Sequence, residues 1–323
     1  MKRTLSLLVA SFLALLACQA TLAQDKKDES KSEPKTTGYR LLMITQSAGF
    51  RHGSVTRKEG KLSPAELAIT ELGIKSNLFR ADCSQDSEKD FTKENLQNYD
   101  IVLFYTTGNL PIKPENLDYF FAEWLVKKGH GFIGAHSAAD TYHNYKPYWD
   151  MIGGTFNGHP WGSGDTVAVT VHDTKHPVAK PWGEAFTIKD EIYRFKNWQP
   201  EKVRVLMSLD MSKSANKIDE QLENQAKGQE KAGKPEDAAK TRAQIGKGPY
   251  HTPICWVKNY GEGKAMHMSL GHNEAVWADE RYMDSLLAGI KWELNLVDGA
   301  ATPNPEVSAE QEKKSKADIE AKK

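Results

Sequence analysis

The sequence predicts an α/β fold: a mostly parallel, doubly wound sheet with helices on both faces and a strand-rich second half. Two observations predict this class. In the first half of the chain, short apolar runs typical of buried parallel strands alternate with helical segments. In the second half, strand-like segments follow one another with few helices between them.

The first half begins with an apolar run, Arg40-Leu-Leu-Met-Ile-Thr45, followed by a polar loop. Ser63-Pro64-Ala-Glu66 then supplies an N-cap, a proline at the first helical position and the acid of a capping box, so a helix is expected from there to Gly73. The pattern continues with predicted strands at residues 74–81, 100–105 and 131–135 and an amphipathic helix at residues 113–128.

The second half contains five further candidate strands and a closing helix. The strands are expected at residues 166–172, 186–193, 203–209, 253–258 and 264–269, and the helix at residues 280–296. A segment at about 211–248 is rich in Lys, Glu, Gln, Asn and Ala and has few large apolar residues. It is interpreted as a solvated, partly helical insertion without chemistry of its own.

The two ends of the chain differ from its middle. Residues 1–23 have the basic start, apolar run and small residues of an export signal, so a periplasmic or extracellular location is expected. Residues 15–18 also resemble a lipobox, in which Cys18 would carry a lipid anchor, whereas residues 21–23 form the competing ordinary cleavage site. A charged flexible linker (24–38), one domain (39–297) and a charged disordered tail (298–323) complete the predicted organisation.

Charge and hydropathy exclude two classes of partner. Basic and acidic residues balance at 43 each, with no long basic stripe, so nucleic acid is not an expected partner. After the signal, no apolar run approaches the roughly 20 residues of a membrane-spanning helix. Cys83 and Cys255 could pair in an oxidising compartment, but both are interpreted more simply as buried small apolar residues.

Histidines follow several predicted strands. His52 comes after the first strand, His136 after the strand at 131–135 and His272 after the strand at 264–269. Asp190 and Glu191 lie inside or at the end of the strand at 186–193. In open parallel sheets, ligands bind outside the carboxyl ends of the strands. A single histidine there is often only a hydrogen-bonded structural residue. Together, these imidazoles and the carboxylate predict acid/base chemistry or a divalent metal such as zinc.

The segment Gly134-Ala-His-Ser-Ala-Ala-Asp-Thr-Tyr-His143 is the densest in polar groups. Its small residues suit a sharp strand-to-helix turn that would raise His136 into the site. A Ser137 nucleophile with His136 or His143 as base is an alternative, although Gly-x-Ser-x-Gly is absent. Asp140 could bind a sugar hydroxyl, orient a histidine or cap the next helix.

A glycine-rich loop, Gly153-Gly-Thr-Phe-Asn-Gly-His-Pro160, carries His159. It lacks the Lys-Ser/Thr ending of a phosphate loop, which argues against nucleotide binding. Its glycines could instead bring the backbone close to a ligand or only form turns. Nearby aromatic residues could stack on sugar rings or pack in the core.

As a set, these segments resemble those of ThuA-like proteins, the trehalose-utilisation family. The resemblance covers residues 39–297 and rests on the segments around His52, His136, His159, Asp190-Glu-Ile-Tyr193 and His272. It implies the flavodoxin-like fold of class I glutamine amidotransferases. Those enzymes place a cysteine in Gly-x-Cys-x-Gly at the turn where this chain has His136, so thiol-based glutamine hydrolysis is not expected.

The resemblance implies an enzyme acting on a small-molecule carbohydrate, namely an oxidised (3-keto) glycoside. His136 or Glu191 could remove a proton, and His52 or His272 could protonate the leaving oxygen. The three histidines are the candidate metal ligands. The expected substrate-binding residues are Asp140, His143, His159 and Tyr193. The alternative is a noncatalytic sugar-binding or surface protein that kept the cleft.

Overall fold

The computed structural model of the chain describes residues 38–213 and 216–321. The predicted export signal, the lipobox at Cys18 and all of the predicted linker except Gly38 lie outside the described residues. Across the described part of the chain, none of the helices combines the length and apolar character needed to cross a bilayer.

The sheet has nine strands in the order β2-β1-β3-β4-β11-β10-β9-β6-β7. The first five are parallel to one another, and each later neighbour pairs antiparallel. The parallel part has the doubly wound, flavodoxin-like order, as the sequence predicts. The strands are β1 (Tyr39–Ile44), β2 (Phe79–Ser84), β3 (Ile101–Phe104), β4 (Gly131–Ala135), β6 (Thr166–Val171), β7 (Ala185–Lys189), β9 (Arg204–Leu209), β10 (Pro253–Tyr260) and β11 (Gly263–Met268).

A second, two-stranded sheet pairs β5 (Thr155–Phe156) with β8 (Phe195–Lys196). The main helices are α1 (Pro64–Ser76), α2 (Pro114–Tyr119, continued by a wider π-helical turn, Phe120–Trp124), α3 (Lys146–Ile152), α4 (Ile218–Lys231), α5 (Pro235–Arg242), α6 (Glu280–Glu293) and α7 (Pro305–Glu320).

The β1 strand shows why the parallel strands have continuous apolar sequences. Leu41 and Met43 belong to one buried cluster, and Leu42 and Ile44 belong to the cluster on the other face of the sheet. Because successive side chains of a strand point to opposite faces, a strand covered by helices on both sides must be apolar at every position.

The helix that begins at Pro64 extends beyond its predicted end. The capping box is present, since Ser63 and Glu66 exchange backbone-to-side-chain hydrogen bonds of 2.8 and 3.4 Å. Gly73 does not end the helix; it permits close packing, because a Cβ there would lie 2.5 Å from the Phe79 carbonyl oxygen. The helix ends at Ser76 and is capped by Asn77, whose φ of +50° is left-handed. For this reason β2 begins later than predicted.

The charged insertion between β9 and β10 folds as the helix pair α4 and α5. The prediction of a disordered tail is contradicted, because α7 packs against the sheet. The Asn304 side chain bonds both the N–H and the C=O of Val205, at 2.7 and 3.0 Å, and the Glu312 carboxylate accepts from the amides of Tyr250 and His251, each at 2.6 Å. Polar contacts of this kind help to order a segment that has few large apolar residues.

Candidate functional site

Four predicted site residues meet at the carboxyl edge of the sheet. His52 follows β1, His136 follows β4, Glu191 follows β7 and His272 follows β11. One ligand atom from each residue lies within 4.8 Å of the others, and only His272 is not fully buried. Because their elements are distant in sequence, this group, hereafter the His/Glu cluster, exists only in the folded chain.

His136 stands at the turn that ends β4, where its φ of +40° is unusual for a residue with a side chain. Its Nδ1 lies 2.8 Å from the Ser269 carbonyl oxygen, which can only accept, so Nδ1 carries the hydrogen. In the neutral ring, Nε2 then has the lone pair, and it faces Glu191 Oε2 at 3.4 Å. Two acceptors in this position favour a proton or a cation between them.

Glu191 is the only acid of the His/Glu cluster, and imidazoles surround it. Besides His136, Nδ1 of His272 lies 3.0 Å from Oε2 and Nδ1 of His159 lies 3.0 Å from Oε1. Burial opposes ionisation of this carboxyl, but the contacts with His136 and His272 outweigh it and hold the pKa of Glu191 well below its usual range. The residue is therefore an anion at neutral pH.

His52 contributes a neutral imidazole. Burial, reinforced by the neighbouring His136 and His272, lowers the pKa of His52 to about 2. Its ring lies 4.9 Å from each of those two rings, centroid to centroid, and its buried Nδ1 has no hydrogen-bond partner among the described residues. At His272, burial opposes protonation, but the hydrogen bond with Glu191 prevails and raises the pKa.

The loop that carries His272 is held by buried polar groups. Asp190 accepts from the amides of Gly271 and Asn273 at 2.7 and 2.9 Å, and Tyr105 donates to the Gly271 carbonyl at 2.8 Å. The sequence places Asp190 beside Glu191 near the end of a predicted strand but indicates no role for it.

The donor set fits a first-row divalent metal. It offers three imidazoles and one carboxylate, and His52 Nδ1 and His136 Nε2 are buried without hydrogen-bond partners in the described residues. The bond from His136 Nδ1 to a backbone carbonyl is the outer contact that metal-bound histidines commonly make. Two ligands about 2.1 Å from one ion are at most about 4.2 Å apart, so the cluster would contract slightly on binding.

The predicted substrate-binding residues surround the His/Glu cluster without all touching it. His159 contacts Glu191, and the Tyr193 ring lies 4.5 Å from that of His136. Asp140 and His143 form a separate pair joined by a 2.5 Å hydrogen bond, so Asp140 orients a histidine. The alternative nucleophile is contradicted, because Ser137 is fully buried and its hydroxyl has no partner among the residues described.

One exposed aromatic residue lies beside the cluster, and the sequence does not predict a role for it. Phe50 is 67% exposed, and its ring meets that of His52 edge to face at 4.9 Å. A large apolar side chain in water next to a polar cluster is a candidate contact for the apolar face of a ligand. The sequence does not predict the exposure of Phe50, because the residues around it form no periodic pattern of apolar and polar positions.

The fold and the site together define an α/β protein of flavodoxin-like strand order, with a three-histidine, one-glutamate cluster at the carboxyl edge of its sheet. The ThuA family, described as trehalose utilisation, matches residues 40–293. The chain belongs to this family.

Solved structures agree with the fold. A protein from Bacteroides uniformis ATCC 8492, described as ThuA-like, superposes with a TM-score of 0.56 at 18% identity, over 84% of this chain and 97% of that one. A second ThuA-like protein, from Parabacteroides merdae ATCC 43184, gives a TM-score of 0.54 at 16% identity, over 80% of this chain and 90% of that one. No protein of curated function matches the sequence.

Proposed function

We propose that this chain is an exported carbohydrate-active enzyme that cleaves or converts oxidised (3-keto) glycosides by acid/base chemistry. We further propose that the His/Glu cluster binds a divalent metal such as zinc. One observation carries both proposals: four donor atoms from four separate loops, three of them buried, gather within 4.8 Å at the edge where ligands of such sheets bind. The family's description as trehalose utilisation supports a sugar as the ligand.

The chemistry of a 3-keto glycoside suits such a site. The ketone at C3 acidifies the hydrogen on C2, so a base can remove it and leave an enolate. The electron pair then expels the oxygen on C1, which takes up a proton as it departs, and water adds across the resulting C1–C2 double bond. One water is consumed overall. A bound divalent cation would supply stabilisation of the negative charge on the C3 oxygen.

The residues of this chain would share the remaining work. The charge-stabilising centre would consist of His52, His136, Glu191 and His272, because one ligand atom of each lies within 4.8 Å of the others. Tyr193, beside His136, and His159, beside Glu191, would contact the sugar at the border of the cluster. Burial of most of these groups keeps water away and strengthens each electrostatic contact.

A noncatalytic sugar-binding protein is the second candidate, and the exposure of Phe50 favours it. An aromatic ring left 67% exposed beside a polar cluster is typical of sugar stacking, which needs no turnover.

The decisive experiment incubates the purified domain with 3-keto glycosides, with and without a chelator, and follows the release of monosaccharide. We expect release that the chelator abolishes and added zinc restores, while unoxidised glycosides remain intact because they lack the acidified hydrogen. Binding without release would favour the noncatalytic candidate. If neither binding nor release occurred, the proposed enzyme and the noncatalytic sugar-binding candidate would both be wrong. Release that the chelator leaves unchanged would overturn the metal proposal alone.

A further inference from the structure

The His/Glu cluster lacks an obvious proton acceptor for the proposed reaction. His136 already uses Nδ1 to donate to Ser269, and its Nε2 faces Glu191. Each of the two oxygens of Glu191 is already in contact with at least one of three imidazoles. Lone pairs that hold the proposed metal ion are not free to take a proton from a substrate as well. A base is therefore expected from outside the cluster.

The Asp140–His143 pair has the geometry of such a base. His143 Nε2 lies 2.5 Å from Asp140 Oδ1, and the two side chains remain 32% and 21% exposed. Because the carboxylate accepts, Nε2 carries the hydrogen and Nδ1 of the neutral ring keeps the lone pair. Glu191 contacts three imidazoles. Within the described residues, by contrast, His143 is the only charged or hydrogen-bonding side chain that Asp140 contacts. A carboxylate that fixes the tautomer and stabilises the protonated ring is the usual partner of a histidine base.

The backbone holds this pair in place. The Asp140 carbonyl accepts from the Gly108 amide at 2.8 Å, and the Tyr142 amide donates to the Gly108 carbonyl at 3.2 Å. Tyr142, between the paired residues, has a left-handed φ of +50°, which turns the chain so that His143 meets Asp140. Such a conformation is unfavourable for a residue with a side chain and persists only where its surroundings impose it.

Aromatic rings connect the pair to the His/Glu cluster. The Phe156 ring lies 6.3 Å from that of His143 and 4.5 Å from that of Tyr193, and Tyr193 in turn lies 4.5 Å from His136. A sugar ring lying across Phe156 and Tyr193 would thus have the cluster at one side and His143 at the other.

We propose that His143, oriented by Asp140, is the general base of this site, a role that rests on the proposed function. The C–H bond next to the substrate carbonyl breaks, its electron pair forms the enolate, and the proton moves to Nδ1 of His143. Asp140 stays ionised beside the imidazolium. The imidazolium then returns the proton to the departing oxygen. This assignment replaces His136 and Glu191, the bases expected from the sequence.

The test compares His143→Ala with the wild type on a 3-keto glycoside, in buffers with and without free imidazole. We expect kcat to fall by about 10²–10⁴-fold and to recover partly when imidazole occupies the space left by the ring. Asp140→Asn should lower kcat by a smaller factor, without rescue. Zinc affinity should stay at the wild-type value in both. His130→Ala, which removes a histidine packed on Trp124 at 4.3 Å and remote from the cluster, is the matched control and should retain full activity.

Each outcome decides a different claim. Turnover by His143→Ala within about threefold of the wild type, or a loss that imidazole does not restore, would overturn the assignment of the base while the proposed function stands. Wild-type protein that leaves 3-keto glycosides intact would overturn the proposed function itself. If His143→Ala does not fold, nitrogen-15 NMR of the wild type decides, because hydrogen on Nδ1 instead of Nε2 would refute the assignment.

Discussion

Two glutamates are buried at opposite edges of the sheet, and their carboxyl groups differ in charge. Contacts with imidazoles hold the pKa of Glu191 low although burial opposes ionisation. Glu293, on α6, is fully buried against Gly131 at the start of β4, and burial raises its pKa well above the usual range, with Lys264 only partly opposing this. Neither carboxyl oxygen of Glu293 has a hydrogen-bond partner among the described residues.

The difference shows that burial alone does not make a functional site. An isolated buried acid keeps its proton and acts as a packing group, because its charged form would lose hydration without compensation. Glu191 is also buried, but imidazoles from three loops contact its carboxylate and keep it charged. The convergence of several imidazoles on one carboxylate is therefore the feature that distinguishes the candidate site from the buried Glu293.

The largest expected effect comes from removing the charge of the cluster. Glu191→Gln keeps the size of the side chain but replaces the anion with a neutral amide, and we expect zinc affinity to fall by at least about 100-fold, the upper end of what loss of an outer contact costs. Isothermal titration calorimetry measures this directly. Glu293→Gln is the matched control and should bind zinc like the wild type. Equal affinities in all three proteins would show that Glu191 holds no metal.

A smaller effect is expected at the neighbouring carboxyl, which supports the cluster from outside. Asp190→Asn leaves one of the two amides at Gly271 and Asn273 without a good acceptor, so the loop carrying His272 should shift. We expect a 10- to 100-fold loss of zinc affinity, as is typical of outer-shell partners. A loss as large as that of Glu191→Gln would indicate that Asp190 contacts the metal directly, contrary to its position here.

The smallest effect concerns stability at the opposite edge. In the native state Glu293 keeps its proton, whereas the unfolded chain releases it near pH 4.3, so the free energy of unfolding should fall as pH rises above that value. Glu293→Gln should remove this loss, so the variant and the wild type should be equally stable near pH 4. At pH 8 the variant should be more stable by about 1.4 kcal/mol for each unit by which the pKa of Glu293 in the folded state exceeds that in the unfolded chain. Urea unfolding at several pH values tests this. Parallel pH dependences in the two proteins would contradict a neutral Glu293.

The sequence by itself determined the class of fold and the edge at which to look. Continuous apolar runs require strands covered on both faces, the Ser63–Glu66 pair begins a helix, and histidines placed just after strands must share one edge when the strands are parallel. These inferences depend on local patterns, which the chain displays before it folds. They were sufficient to name the four residues of the His/Glu cluster.

Only the tertiary structure decided how those groups relate. Which nitrogen of His136 carries hydrogen depends on the Ser269 carbonyl, which is 133 residues away in the chain. The order of the C-terminal helix depends on polar contacts with β9 and with residues 250–251, whereas its composition alone predicts disorder. The physical reason is the same in each case: a donor or acceptor acquires its role from a distant partner, and no local pattern contains that partner.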